Sequence, residues 1–152
     1  MAGLEASVKF FHRPKNANDA GVSVGWFQDQ RYDDGTSVAQ VAKWNEFGTK
    51  AGVPERPFMR ETKMRKEREW IEQLKTLVQR AIDNDKSIEL ALKQFGEIAK
   101  GDIQETILSG GFKPNAASTI KRKGAGKMPL IDTGVMISSI QARTDKELLE
   151  NV

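Results

Sequence analysis

Residues 70–107 read WIEQLKTLVQRAIDNDKSIELALKQFGEIAKGDIQETI, and this stretch determines most of the fold. Its apolar residues recur at intervals of three and four in two runs, which is the spacing of an amphipathic helix. The first run comprises Trp70, Ile71, Leu74, Leu77, Val78, Ala81 and Ile82, and the second comprises Ile88, Ala91, Leu92, Phe95, Ile98, Ala99, Ile103 and Ile107. Asp83-Asn84-Asp85 interrupts the periodicity, and Ser87 can cap the second helix. The sequence therefore predicts two long helices, joined by a short turn and packed as an antiparallel pair.

Glycines inside and after the second helix carry further information. Gly96 and Gly101 each cost roughly 1 kcal/mol relative to Ala at a helix-interior position. We therefore expect another helix or a sheet to approach closely at both. Gly110-Gly111 is expected to end the helix.

A shorter helix precedes this pair. Thr36 is the expected N-cap of a helix that runs from about Ser37 to Phe47, in which Trp44 and Phe47 widen the apolar side. Gly48 fits the left-handed residue that commonly ends a helix, because it has no Cβ to clash.

Short segments near both ends of the chain complete the predicted elements. Val22–Phe27 is rich in β-branched and aromatic residues and predicts a strand. Near the C-terminus, Asp132 or Thr133 can cap a short helical turn, after which residues 137–144 read as a final strand or a short helix. Residues 145–152 are charged and are expected to fray.

These elements predict an α+β fold, in which a small antiparallel sheet packs with an antiparallel pair of long helices and a shorter helix. We expect a single domain over residues 1–152, with a basic loop at about residues 110–129 and a frayed C-terminus.

The composition excludes several classes of protein. The chain has 152 residues and no Cys, so it has neither a disulfide framework nor a thiolate metal site. No run approaches the roughly 18 apolar residues of a membrane span. The first residues lack the basic start and apolar stretch of a secretory signal. We therefore expect a soluble protein kept inside a cell, without a membrane partner.

The net charge of +3 and the pI of about 9.2 are mildly basic, and the excess is local. The bases that lie between residues 110 and 129, with no acid among them, are Lys113, Lys121, Arg122, Lys123 and Lys127. One interpretation is a solvated loop, given the Gly, Ser, Asn and Pro content around them. The other is contact with an acidic protein ring or with packaged DNA, through a salt-sensitive phosphate interaction.

We searched for catalytic and cofactor motifs and found none that is complete. The DTG at residues 132–134 matches the aspartic-protease tripeptide, but only 18 residues follow it, too few for a β-rich catalytic fold, and the chain before it is mostly helical. GAGK at residues 124–127 lacks the first Gly and the Ser or Thr of a Walker motif. His12 is the only histidine and is too isolated to ligate a metal or serve a triad. We expect no enzymatic activity, no cofactor and no metal.

Three phrases in fixed order resemble a known kind of protein. They are Glu46-Phe47-Gly48-Thr49, then Pro54-Glu55-Arg56-Pro57-Phe58-Met59-Arg60, and later Pro129-Leu130-Ile131-Asp132-Thr133-Gly134. With the helical pair and residues 111–115 between them, they resemble the tail-completion and head–tail joining proteins of tailed bacteriophages, including the phage virion morphogenesis family. The resemblance covers about residues 38–142.

The resemblance implies a structural subunit of a virion neck or tail end that completes or terminates the tail tube and joins it to the head. It implies a homo-oligomer, for which a hexameric ring is one arrangement, in contact with a connector or stopper ring, a tail terminator or a tail tube, and near packaged DNA. Its location would be the virion, and the host cytoplasm during assembly. The alternative is a basic nucleic-acid-binding accessory protein, based on the basic loop and the pI.

The second phrase predicts an extended arm. Pro54 and Pro57 restrict the backbone before them, and Arg56 offers a planar bidentate donor to a carboxylate. The arm either packs on its own domain or reaches a neighbouring subunit. For the second case the predicted interface residues are Glu55, Arg56, Phe58, Met59 and Arg60. The residues assigned to turns and caps are Gly48, Pro54, Pro57, Asp132, Thr133 and Gly134.

Overall fold

The structure, a computed structural model, describes residues 20–113 and 134–150. In chain order its elements are β1 (Val22–Gly25), α1 (Val38–Phe47), α2 (Phe58–Asp83), α3 (Ile88–Ser109), α4 (Val135–Ser138), β2 (Gln141–Thr144) and α5 (Asp145–Glu150). The strands β1 and β2 pair in an antiparallel two-stranded sheet, and the long helices α2 and α3 pack against each other. The predicted α+β fold, with its small sheet, long helical pair and shorter helix, is confirmed.

The turn between α2 and α3 has a specific geometry. The Asp85 amide donates to the Ile82 carbonyl at 3.2 Å, and the Lys86 amide donates to the Ala81 carbonyl at 2.7 Å. These two bonds form a Schellman motif, which satisfies carbonyls left open at a helix end. Asp85 occupies its left-handed position with φ 53°, where most helices place Gly. The helix α2 therefore ends at the break that was predicted for residues 83–85, and the Schellman motif is what ends it.

The described chain groups into two compact units. The sheet unit takes its described residues from 1–24, 63–102 and 142–152, and the arm unit takes its own from 25–62 and 103–141. The expectation of one domain over residues 1–152 stays a prediction.

The sheet unit has an apolar core. Trp70, Phe95 and Ala99 form one buried cluster, against which Val22 and Val24 of β1 pack. The rings of Trp70 and Phe95 meet edge to face, with centroids 6.3 Å apart. A second buried cluster comprises Val78, Ala81 and Ala91.

The two helix glycines of the sheet unit differ in their surroundings. A Cβ on Gly96 would lie 2.6 Å from the Ala142 Cβ and 2.9 Å from the Val22 Cγ2, so the sheet presses on α3 there, as predicted. Among the described residues, a Cβ on Gly101 would meet no heavy atom within 4 Å. The prediction of a close contact at Gly101 is therefore wrong.

The arm unit combines apolar and polar buried groups. The rings of Trp26 and Phe58 meet edge to face, with centroids 5.6 Å apart, and the Phe58 side chain is fully buried. The Thr62 and Thr106 hydroxyl oxygens lie 2.7 Å apart within a hydrogen bond, and both residues are buried. Within this unit α4 packs against α1.

Two sequence-based boundaries need correction. The strand ends at Gly25, two residues before the predicted end. The N-cap of α1 is Ser37, whose hydroxyl accepts from the Gln40 amide, one residue after the predicted Thr36.

Residues 145–150, part of the stretch that is expected to fray, form the helix α5, and their fraying stays a prediction. Thr144 and Glu147 make a reciprocal capping box: the Thr144 amide donates to Glu147 at 2.8 Å, and the Glu147 amide donates to the Thr144 hydroxyl at 3.4 Å. Lys93 of α3 adds an ion pair to Glu147 at 2.7 Å. These contacts hold a short charged helix that composition alone does not predict.

Among residues 20–113 and 134–150, no helix combines the length and the apolar character that crossing a membrane requires.

Candidate interaction site

The first two phrases of the sequence meet in one polar cluster of the arm unit. We call it the arm cluster; its members are Asn45, Glu46, Glu55, Arg56 and Arg60. Its centre is Glu46, which is only 4% exposed although it is charged. Glu46 lies on the same stripe of α1 as the buried residues Val38 and Ala42. A buried carboxylate is tolerated only where its hydrogen bonds are satisfied, and the partners of Glu46 come from α2.

Glu46 caps the beginning of α2 from a different helix. Its two carboxylate oxygens accept from the Met59 amide at 2.8 Å and from the Arg60 amide at 3.1 Å. The first amides of any helix have no partner within that helix, and the positive end of the helix dipole favours an anion there. Glu46 therefore fixes the position at which the arm ends and α2 begins.

Arg60 connects the cluster to the surface. Its guanidinium donates to the Glu46 carboxylate at 2.9 Å, to the Glu46 carbonyl at 2.7 Å and to the Glu55 carboxylate at 2.6 Å. Its Cζ lies 4.8 Å from the centroid of the Phe47 ring, in a cation–π contact. The hydrogen bonds to Glu46, and secondarily to Glu55, raise the pKa of Arg60 above its ordinary value.

Arg56 is held inside its own chain. Its side chain donates to the Asn45 Oδ1 at 2.7 Å and to the Lys113 carbonyl at 2.8 Å, and only 3% of the residue is exposed. Burial lowers the pKa of Arg56. Of the two alternatives for the arm, the structure shows packing on its own chain at Arg56 and at the buried Phe58. Glu55 stays exposed, and Met59 and Arg60 are partly exposed, so these three keep surface that a neighbour could reach.

The turn before the arm explains the glycine of the first phrase. Gly48 follows α1 with φ 69° and ψ 177°, so its φ is positive as predicted, but its ψ is not that of the predicted left-handed helical residue. A Cβ there would lie 3.0 Å from the Val53 carbonyl oxygen and 3.1 Å from the Glu55 nitrogen. The Thr49 amide donates to the same Val53 carbonyl at 2.9 Å. A residue with a side chain would therefore be strained and crowded at position 48.

The prolines and the third phrase are also structural where they are described. Pro57 directly precedes α2, and its carbonyl accepts from the Glu61 amide at 2.8 Å, while Pro54 is partly exposed in the extended arm. Gly134 has φ 77° and precedes α4. Asp132 and Thr133, the predicted caps, lie outside the described residues.

Contacts from α4 tie the end of the third phrase to the arm unit. The Met136 carbonyl accepts from the Trp26 Nε1 at 2.6 Å, and the Ile137 carbonyl accepts from the Gln104 amide group at 3.0 Å. The Ser139 carbonyl accepts from the Gln30 side chain.

Of the predicted basic contact residues, Lys113 alone lies in the described part of the chain. Lys113 is exposed, and its backbone carbonyl is the acceptor for Arg56. The other members of the set lie outside the described residues: Lys121, Arg122, Lys123 and Lys127. Their contact with an acidic partner or DNA stays a prediction.

Sequence reasoning missed two surface aromatics. Trp44 is 42% exposed and Phe47 is 44% exposed, although both were assigned to the apolar side of α1. The sequence contained the information needed, because Val38, Ala42 and Glu46 lie on one stripe of α1. When that stripe faces the core, Trp44 lies on the exposed side of the helix.

Within the described part of the chain, no group of three or more His, Cys, Asp or Glu side chains is placed to hold a metal ion. Comparisons with protein-family models, with curated proteins and with solved structures found no match.

Proposed function

We propose that this chain is a structural component of a tailed-phage virion, placed at the head–tail junction or the tail end, where it completes the tail and joins it to the head. The proposal starts from the order of the three phrases. One observation of the structure supports it most: the charged residues of the first two phrases bind one another in the arm cluster instead of lining a cleft.

The arm cluster is suited to holding neighbouring segments of the arm unit in fixed positions. Glu46 and Arg56 are buried, and each is bonded to a different segment of the chain. Charge-assisted hydrogen bonds are about twice as strong as neutral ones and are directional, so within the arm unit they fix the end of α1, the arm and the first turn of α2 relative to one another. A surface whose shape is fixed before contact loses less entropy on binding, which is what a subunit of a precise assembly requires.

The surface beside the cluster is suited to protein contact. Trp44 and Phe47 expose aromatic area, and Arg60 lies over the Phe47 ring. Aromatic residues and Arg are enriched in protein interfaces relative to the rest of the surface.

Deleting the coding sequence from a phage that carries it tests the proposal. We expect electron microscopy of the lysate to show filled heads and tails that are not joined, and a plasmid-borne wild-type chain to restore infectious particles. A chain with Arg68→Glu, which changes an exposed base of α2, is the matched control and should restore them equally well. Normal titres and intact particles without the chain would contradict the proposal.

The nucleic-acid-binding alternative predicts a different result. The purified chain would bind DNA with an affinity that falls steeply as salt rises, because phosphate contacts release counterions. That behaviour, combined with absence of the chain from purified particles, would replace the structural proposal.

A further inference from the structure

One exposed face of the arm unit is both aromatic and basic. We define the aromatic–basic face as Lys43, Trp44, Phe47 and Lys50, at the C-terminal half of α1 and the turn after it. All four side chains are exposed. Among the described residues, neither Lys43 nor Lys50 forms an ion pair. The face therefore carries two positive charges that no described acid neutralises, around an apolar centre.

One exposed region of the sheet unit is apolar and acidic. We define the acidic corner as Ile82, Asp83, Asp85 and Ile88, where α2 turns into α3. Ile82 is 55% exposed and Ile88 is 43% exposed. Neither Asp83 nor Asp85 has an ion-pair partner among the described residues, and the base between them and α3 is Lys86. The C-terminal end of α2 adds partial negative charge at the same place.

These two surfaces match in chemistry and differ in sign. Each has large apolar side chains at its centre and charges beside them, which is the arrangement of protein interfaces. We infer that the aromatic–basic face of one copy of this chain binds the acidic corner of a second copy, head to tail. This inference rests on the proposed function, since it names how the subunits of the assembly contact one another.

The signs of the charges disfavour self-pairing of either surface. In a two-fold symmetric contact each surface would meet itself, and the like charges of Lys43 and Lys50, or of Asp83 and Asp85, would face each other and repel. A head-to-tail contact brings opposite charges together. Such a contact is heterologous, and it produces a ring when the rotation between copies closes.

Self-association of the full-length chain, measured by sedimentation velocity over a range of concentrations, tests the inference. We expect the wild type to form oligomers that dissociate on dilution. Trp44→Glu places an acid in the aromatic–basic face, and Ile82→Lys places a base in the acidic corner. Each should raise the dissociation constant at least about tenfold, as loss of a central interface residue commonly does. Met64→Lys changes another exposed apolar residue of α2 and should leave association unchanged.

Mixing the two variants shows whether the contact between copies is head to tail. The Trp44→Glu chain keeps an intact acidic corner, and the Ile82→Lys chain keeps an intact aromatic–basic face. At a concentration at which each variant alone is monomeric, an equimolar mixture should therefore form a heterodimer and no larger oligomer. Circular dichroism of each variant confirms that the helices are intact.

Other outcomes would overturn the inference. They are a wild type that stays monomeric at its highest soluble concentration, an Ile82→Lys chain that associates as tightly as the wild type, or variants that fail to combine when mixed. The result is separable from the proposed function. A monomeric chain that is nevertheless found in virions defeats only this inference, whereas a head-to-tail oligomer that is absent from virions defeats only the virion role.

Discussion

The sheet unit and the arm unit are stabilised by different kinds of contact. In the sheet unit, Trp70, Phe95 and Ala99 form an apolar core that the strand β1 covers. In the arm unit, Glu46 and Arg56 are buried among hydrogen bonds. Apolar packing is strong but not directional, whereas charged hydrogen bonds fix angles. The apolar core of the long helices therefore contributes most to stability. The charged residues of the first two phrases fix the geometry of the arm.

Truncating the sheet-unit core should have the largest effect on stability. Trp70→Ala removes the ring that packs on Phe95 and the indole N–H that donates to the Asp102 carboxylate at 2.7 Å. We expect the free energy of unfolding, measured with urea, to fall by about 3 to 5 kcal/mol. Trp70→Phe keeps an aromatic ring and should cost clearly less. Equal losses for the two variants would show that the hydrogen bond to Asp102, not packing, stabilises this core.

Removing the centre of the arm cluster should cost about 2 to 3 kcal/mol, because hydrogen bonds to a charged group are lost and Arg60 loses a partner. The variant is Glu46→Ala, measured by the same urea unfolding. Glu105→Ala, which alters an exposed acid of the same unit, is the control and should stay within about 0.5 kcal/mol of wild type. If Glu46→Ala also stayed within that range, the arm unit would not depend on charged hydrogen bonds.

The two glycines of α3 should respond to alanine in opposite directions. Gly96→Ala places a methyl group against Ala142 and Val22 and should destabilise by about 1 to 2 kcal/mol, since overpacking outweighs the gain in helix propensity. Gly101→Ala meets open space and should stabilise by about 0.5 to 1 kcal/mol. Thermal unfolding of both variants measures the difference. Stabilisation by both would mean that the sheet does not press on the helix.

The turn between the long helices should accept glycine. Asp85→Gly removes the steric penalty of φ 53° and should stabilise by up to about 1 kcal/mol. The same change two residues earlier, Asp83→Gly, lies inside α2 and should destabilise by a similar amount. Unfolding is measured at dilution, so that self-association does not contribute.

The smallest effect should come from the ion pair that holds α5. Hydrogen bonds from Lys93, and secondarily from the Thr144 amide, lower the pKa of Glu147 below its ordinary value of 4.5. A carboxyl with a lowered pKa in the folded state stabilises the protein above its unfolded pKa, and that stability is lost as the pH falls through the folded value.

We therefore expect Glu147→Gln to be slightly less stable than wild type at neutral pH, and the difference to vanish on acidification below the lowered pKa. Glu150→Gln, at the exposed end of the same helix, is the control and should show no pH-dependent difference. A difference between Glu147→Gln and wild type that persisted in acid would contradict the assigned cause.

The sequence predicted the helical architecture well, because the apolar period of α2 and α3 is long and regular. It predicted the glycine after α1 from backbone sterics alone. It did not predict that Glu46 is buried or that α5 forms. Both depend on a partner distant in sequence, Arg60 for the first and Lys93 for the second. The exposure of Trp44 was missed because the stripe of Val38, Ala42 and Glu46, which includes an acid, was not predicted to face the core.

Quantitative mass spectrometry of density-purified particles, from a phage that encodes this chain, tests most directly whether the chain is a component of the virion. We expect the chain to be present in a small, fixed number of copies per particle and to remain through repeated banding. Complete loss of the chain from infectious, banded particles would contradict this expectation.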